Sequence, residues 1–167
     1  SGTFDRIVSL GMFEHVGVKN YRTYMKLVHR CLADDGLYLL HTIGTNTPKT
    51  SVDPWTDKYI FPGGMLPTQK WIAAATEGHF VMEDWHNFGV HYDPTLMAWM
   101  ANVDAHKQEL VQAGYGEDFY RMWRFFLLSS AGAFRARRNH LWQIVYSKHG
   151  LNGGYDSTRY GCYLVSE

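Results

Sequence analysis

Glu14 and His15 stand near the end of the stretch Phe4-Asp5-Arg6-Ile7-Val8-Ser9-Leu10-Gly11-Met12-Phe13-Glu14-His15-Val16-Gly17. A carboxylate at that place can take or hold a proton of a bound ligand. In open α/β sheets ligands bind in the crevice outside the carboxyl ends of the strands. Ile7, Val8 and Leu10 form an apolar run short enough for a strand covered on both faces. Gly11 lets the backbone pass close to whatever lies at that strand's end. A second run, Leu37-Tyr38-Leu39-Leu40-His41-Thr42-Ile43, ends at Gly44. It sets His41 and Ile43 beside Glu14 at the same edge of the sheet. Read alone, Glu14 is equally a solvated loop carboxylate or a cap for the next helix. His41 is equally a satisfied core histidine.

Other chemistries are excluded by what is missing. Nine histidines invite a metal, yet there is no H-E-x-x-H and no Cys/His cluster at zinc spacing. The metal expectation is therefore none. Ser129-Ser130 lies in an apolar helix and not in a G-x-S-x-G elbow. There is no P-loop. Gly114-Tyr115-Gly116 joins two helices with no strand before it, so it is no dinucleotide fingerprint.

The elements that must hold Glu14 and His41 follow from periodicity. Tyr24, Leu27, Val28, Cys31 and Leu32 recur at helical spacing and predict a helix over about Asn20 to Leu32. Asp34-Asp35-Gly36 stops it, with glycine available for a left-handed turn. Strand, helix, strand is a parallel crossover unit. Residues 45–65 read as an ordered loop with one helical turn around Trp55–Tyr59. Pro67 fits the first turn of a short helix ending near Gly78. Phe80–Trp85 reads as a strand. Asp93-Pro94 reads as a helix start, with Asp93 as cap. Leu96, Met97, Trp99, Met100, Val103, Leu110 and Val111 give that helix an apolar face, and Gly114 ends it. A second long helix runs from about Glu117 to Arg138. Its middle, 125–134, is apolar nearly all round and predicts burial. Arg135, Arg137 and Arg138 suit a helix carboxyl end or phosphate headgroups. Leu141–Ser147 is the last strand, and residues 149–167 read as a polar, glycine-rich loose tail.

The chain has 167 residues, which suits one domain. Lys+Arg and Asp+Glu are both 16, so net charge is +0 and gives no electrostatic case for nucleic acid. Aromatics at 16% can fill a core or line a lipid-sized cavity. Cys31 and Cys162 show no framework spacing and suit a reducing compartment. No apolar run approaches a membrane span.

Motif order then points to a family. Val8-Ser9-Leu10-Gly11-Met12-Phe13-Glu14-His15-Val16-Gly17, Leu39-Leu40-His41-Thr42-Ile43-Gly44 and Tyr59-Ile60-Phe61-Pro62-Gly63-Gly64 with Leu66-Pro67 closely resemble cyclopropane-fatty-acyl-phospholipid synthases. So do 82–89, 92–99 and 131–137. The resemblance runs unbroken from about Phe4 to Ser147, with mycolic acid cyclopropane synthases a step further away. It implies an α/β, Rossmann-like class I S-adenosylmethionine methyltransferase fold. Residues 1–148 would be the carboxyl-terminal half of the catalytic domain, with a mixed sheet, an antiparallel last strand and long helices. The glycine-rich cofactor loop would lie upstream, with only Gly11 adjacent to the cofactor here. A cysteine of the family's anion site would lie upstream too.

The resemblance implies methylene transfer from S-adenosylmethionine to a cis double bond of a phospholipid acyl chain. The alkene attacks the sulfonium methyl, and a base then removes a proton from the resulting carbocation so that the ring closes. The family's base is bound bicarbonate, and its ligands match Glu14, His41, the Ile43 amide and Tyr92. Bicarbonate offers one acidic hydroxyl for Glu14, while its anionic oxygens want the other three as donors. Tyr92 taken alone is equally a packing tyrosine. Ser130 stands where many members carry cysteine, which undermines a thiol nucleophile and leaves bicarbonate untouched. The expected setting is the cytoplasm, peripheral to a phospholipid membrane surface, as a homodimer or other self-associate. Competing readings are a methyl-branched or methoxylated lipid product, amine methylation, or a non-catalytic lipid-binding fragment.

Overall fold

A computed structural model describes residues 2–157. Four strands are present among them: β1 (Phe4–Leu10), β2 (Leu32–Thr45), β3 (Val81–Asn87) and β4 (Asn139–Ser147). Six helices accompany them: α1 (Tyr21–Cys31), α2 (Pro54–Tyr59), α3 (Gln69–Thr76), α4 (Tyr92–Ala105), α5 (Lys107–Gln112) and α6 (Glu117–Arg135). The sheet order is β1-β2-β4-β3, so the last strand lies inside the sheet. β1 and β2 run parallel, pairing Ile7 with Tyr38, Val8 with Leu39 and Leu10 with His41. Strand β1, helix α1 and strand β2 thus make the expected crossover.

The chain packs as two units. Among the described residues the first holds 2–42, 70–86 and 142–157, the second 43–69 and 87–141. In the first, Met25 and Val28 of α1 and Ile72 and Ala75 of α3 bury themselves against Tyr38, Leu40, Trp142, Ile144 and Tyr146 of the sheet. Each large side chain so buried contributes roughly 1.5–3 kcal/mol. The opposite sheet face presents Arg6, Val8, Leu37, Leu39, Gln143, Val145, Asp84 and His86 to an open groove that Tyr155 and Ser157 also line. Val8 is 56% exposed and Leu10 63%. The expectation of cover on both faces is therefore not met among the described residues, because the helices of this unit lie on the Tyr38 side.

Gly36 is needed for a different reason from the one its sequence suggests. Its φ is not positive. A Cβ there would sit 2.8 Å from Leu32 Cδ1 and 2.9 Å from the Ala33 carbonyl oxygen. Asp34-Asp35-Gly36 is no helix stop followed by a turn but part of β2, at a point where the register slips between Phe4 and Arg6. The beginning of the expected tail is anchored, since Gly150 N donates to Ser147 Oγ and Leu151 N to Glu83 Oε1. Residues 158–167, including Cys162, lie outside the described residues.

In the second unit α4 and α6 enclose Leu96, Met100, Leu127, Ala131 and Phe134. Three expectations change here. Asp93 does not cap α4; its carboxylate accepts from Arg135 Nε and Nη2 at 2.8 and 2.9 Å, and Tyr92 already opens the helix. That pairing holds the Asp93 carboxyl below its usual range. The helix does not run on to Gly114 but breaks at His106, whose Nδ1 lies 2.8 Å from the Asn102 carbonyl. The middle of α6 is buried on one side only, with Phe125 55% exposed. Pro67 precedes α3 instead of entering it, and its carbonyl accepts from Thr45 N. Asp53 caps α2, accepting from Trp55 N and Thr56 N. Helix α6 ends as a Schellman motif: Arg138 N donates to Ala133 O and Arg137 N to Phe134 O, with Arg137 left-handed at φ 58°.

Among the described residues no helix is long and apolar enough to cross a membrane.

Candidate active site

Beyond β1 the chain turns once and folds back. Gly11 takes φ +61°, a conformation that strains any side chain, and its N–H donates to the His41 carbonyl at 3.1 Å. The end of β1 is thereby tied to the residue of β2 that carries the imidazole. Phe13–His15 then form a 3₁₀ turn, with His15 N donating to Met12 O and Val16 N to Phe13 O.

Phe13 is the anchor of this turn. Its ring is fully buried and stacks on Tyr21 at 3.9 Å and 17°. Burying Phe13 draws the next residue inward, so that Glu14 is only 8% exposed. The reading of Glu14 as a solvated loop carboxylate is thus excluded. His15 remains exposed.

The Glu14 charge reaches two neighbours in the same unit. It opposes the downward shift that burial imposes on His41. It adds to the upward shift that burial imposes on the Tyr21 phenol. His41 is therefore neutral near pH 7, and Tyr21 keeps its proton. Gln143 Nε2 lies 3.3 Å from His41 Nδ1. With the amide donating, Nδ1 accepts and the ring carries its proton on Nε2, ready to be offered to an anion. The first unit thus holds an anionic acceptor and a neutral imidazole donor side by side.

Ile43 and Tyr92 belong to the second unit. Both pack against its cluster of Leu96, Met100, Leu127, Ala131, Phe134 and Leu141. The Tyr92 ring meets Phe134 edge-on at 4.9 Å and Trp99 at 5.9 Å. Each pair of expected site residues is thus held within its own unit.

Two residues here escaped sequence reasoning. Gln143 is the lone amide in the apolar run of β4, and that interruption was a usable signal. Tyr21 carries a buried hydroxyl with no hydrogen-bond partner among the described residues. Its helical spacing marks it only as core.

The histidines also set a pH response. Burial is the largest cause lowering His29, His41, His79 and His140 below the ordinary value. A lowered histidine binds its proton more readily when unfolded. Its contribution is complete above about pH 6.5 and is lost as pH falls through that value. Asp34, Asp53, Asp93 and Asp104 are lowered as well, but their contribution persists until roughly pH 4. Thermal melts followed by circular dichroism should therefore show Tm falling between pH 7.5 and pH 5. A flat Tm over that window would contradict the lowered, neutral state of these rings.

Comparison with known proteins meets this geometry. The sequence profile described as mycolic acid cyclopropane synthetase matches residues 1–144. This chain belongs to that family. The cyclopropane-fatty-acyl-phospholipid synthase of Escherichia coli (strain K12) is 55% identical over 150 residues, which cover 90% of this chain and 39% of that protein. Sphingolipid C9-methyltransferase 2 of Gibberella zeae is 34% identical, covering 91% of this chain and 31% of that protein. A mycolic acid cyclopropane synthase crystallised with SAH and CTAB superposes with a TM-score of 0.81 at 30% identity, over 89% of this chain and 56% of that one. The α/β methyltransferase fold is thereby shown. The chain spans about two fifths of the E. coli protein's length.

Proposed function

We propose that the protein to which this cyclopropane synthetase-family chain belongs transfers a methylene group from S-adenosylmethionine to a cis double bond of a phospholipid acyl chain. The observation that carries this is the buried Glu14 carboxylate, held by the Phe13 turn next to a neutral His41 at adjoining strand ends. Bound S-adenosylmethionine supplies an electrophilic methyl group, and bound bicarbonate supplies the base. The donor set suits that anion. Glu14 accepts its hydroxyl proton, and His41, turned by Gln143, donates from Nε2. The reading adds the Ile43 amide and the Tyr92 hydroxyl as the remaining donors. An alkene is a weak nucleophile, so positioning and exclusion of water carry much of the acceleration. Gly11 lies at the strand end nearest the proposed cofactor. The same reading puts the protein in the cytoplasm at a membrane surface, as a homodimer or other self-associate.

A second product is open to this scaffold, since one relative is named a sphingolipid methyltransferase. A methyl-branched alkene and a cyclopropane of one chain have the same mass. Lipids from cells expressing the complete gene should therefore be analysed by mass spectrometry before and after ozonolysis. New acyl chains heavier by one CH2 and resistant to ozone support cyclopropanation. Ozone-labile products of that mass would replace it with methyl branching.

A further inference from the structure

Tyr92 is held by what precedes it in the chain. Strand β3 ends at Asn87, and a 3₁₀ turn (Gly89–His91) leads directly into Tyr92. Every step of this turn is fastened within the second unit. Phe88 N donates to the Leu141 carbonyl at 2.9 Å. His91 N donates to Phe88 O at 2.9 Å, and Tyr92 N donates to Gly89 O. Gly89 approaches β4 so closely that a Cβ would sit 3.0 Å from Leu141 N and 3.2 Å from His140 Cα.

The side chain of Asn87 joins both parts. Its Oδ1 accepts from Gly89 N at 3.3 Å. Its Nδ2 lies 2.9 Å from His140 Nδ1. The roles are fixed by this pair of contacts. If the amide were turned over, its NH2 would face the Gly89 N–H, donor against donor. Asn87 therefore donates to His140, and Nδ1 of His140 must be an acceptor. His140 is 8% exposed and stays neutral, with its proton on Nε2. Burial and Arg137 both favour that neutral form.

We infer that Asn87 and His140 are positioning residues for Tyr92, fixing the turn that aims its hydroxyl. The inference rests on the proposed role of Tyr92 as a donor to the bound anion. A shift of about 1 Å at a reacting group can cost on the order of 10²-fold in rate. Neither side chain is asked to touch substrate.

The test uses the complete protein and compares Asn87→Ala, His140→Leu, His140→Asn and Tyr92→Phe, with the double variant Asn87→Ala/Tyr92→Phe. Asn87→Ala and His140→Leu should lower kcat by about 10-fold or more, with KM for S-adenosylmethionine unchanged. His140→Asn keeps an acceptor where Nδ1 stood and should recover most of the loss. Adding Asn87→Ala to Tyr92→Phe should cost little further, since both act through one hydroxyl. Full turnover in Asn87→Ala and His140→Leu, with Tyr92→Phe impaired, overturns the inference alone. So do fully additive losses, or a KM that rises in step. Normal turnover in Tyr92→Phe overturns both the role of Tyr92 and the inference built on it. Should the variants unfold, nitrogen NMR of the native protein decides instead. His140 should show an unprotonated Nδ1 at neutral pH, and a proton on Nδ1 refutes the arrangement.

Discussion

Glu14→Gln in the complete enzyme should lower turnover by about 10²-fold or more and leave S-adenosylmethionine affinity within about twofold. The substitution keeps size and buries an amide where a carboxylate stood. It removes the one anionic acceptor that the Phe13 turn brings inward, at 8% exposure. On the proposed reading, a bound bicarbonate would lose the partner for its hydroxyl and with it the orientation of its basic oxygen. On the same reading the sulfonium cofactor would be held by groups other than Glu14, so its affinity should be spared. Rates from single-turnover kinetics and affinities from calorimetry would separate the two quantities. Equal losses in both would contradict the role given to Glu14.

Phe13→Ala should destabilise the fold by about 3–5 kcal/mol. Phe13 is fully buried, stacks on Tyr21 at 3.9 Å and meets Tyr24 at 5.7 Å. Its removal leaves a cavity beside the rings of Tyr21 and Tyr24, which close in poorly. Urea unfolding monitored by tryptophan fluorescence would read the loss as a lower midpoint at constant slope. Activity should fall further than the folded fraction, because the same ring keeps Glu14 turned inward. A variant as stable as the parent would mean that the turn is held by its hydrogen bonds alone.

The strand–helix–strand core is readable because Ile7–Leu10 and Leu37–Ile43 are short apolar runs and Tyr24–Leu32 recurs at helical spacing. The site was readable in another way. No period distinguishes Glu14 from His15, and only the order of motifs singled out Glu14, His41, Ile43 and Tyr92. What escaped had long-range causes. Asp93 next to Pro94 has the local chemistry of a cap, but Arg135, 42 residues away, claims its carboxylate. Gly36 looks like a turn glycine, yet a close neighbour and not its φ makes it necessary. The apolar run 125–134 reads as wholly buried because hydropathy does not tell which side of a helix has a neighbour. Phe125 instead stands against Trp55 at 4.7 Å, near the surface. Gln143 is meaningful only once β4 lies beside β2, an adjacency that connection order hides.

The place of β1 at one end of the strand order has a practical result. Handled without further sequence, residues 2–157 would offer water a strand border with unanswered amides and carbonyls beside Phe4, Val8 and Leu10. Such a border is glue. Sedimentation velocity should find particles that grow with concentration and shrink when a soluble peptide able to lie along that border is added.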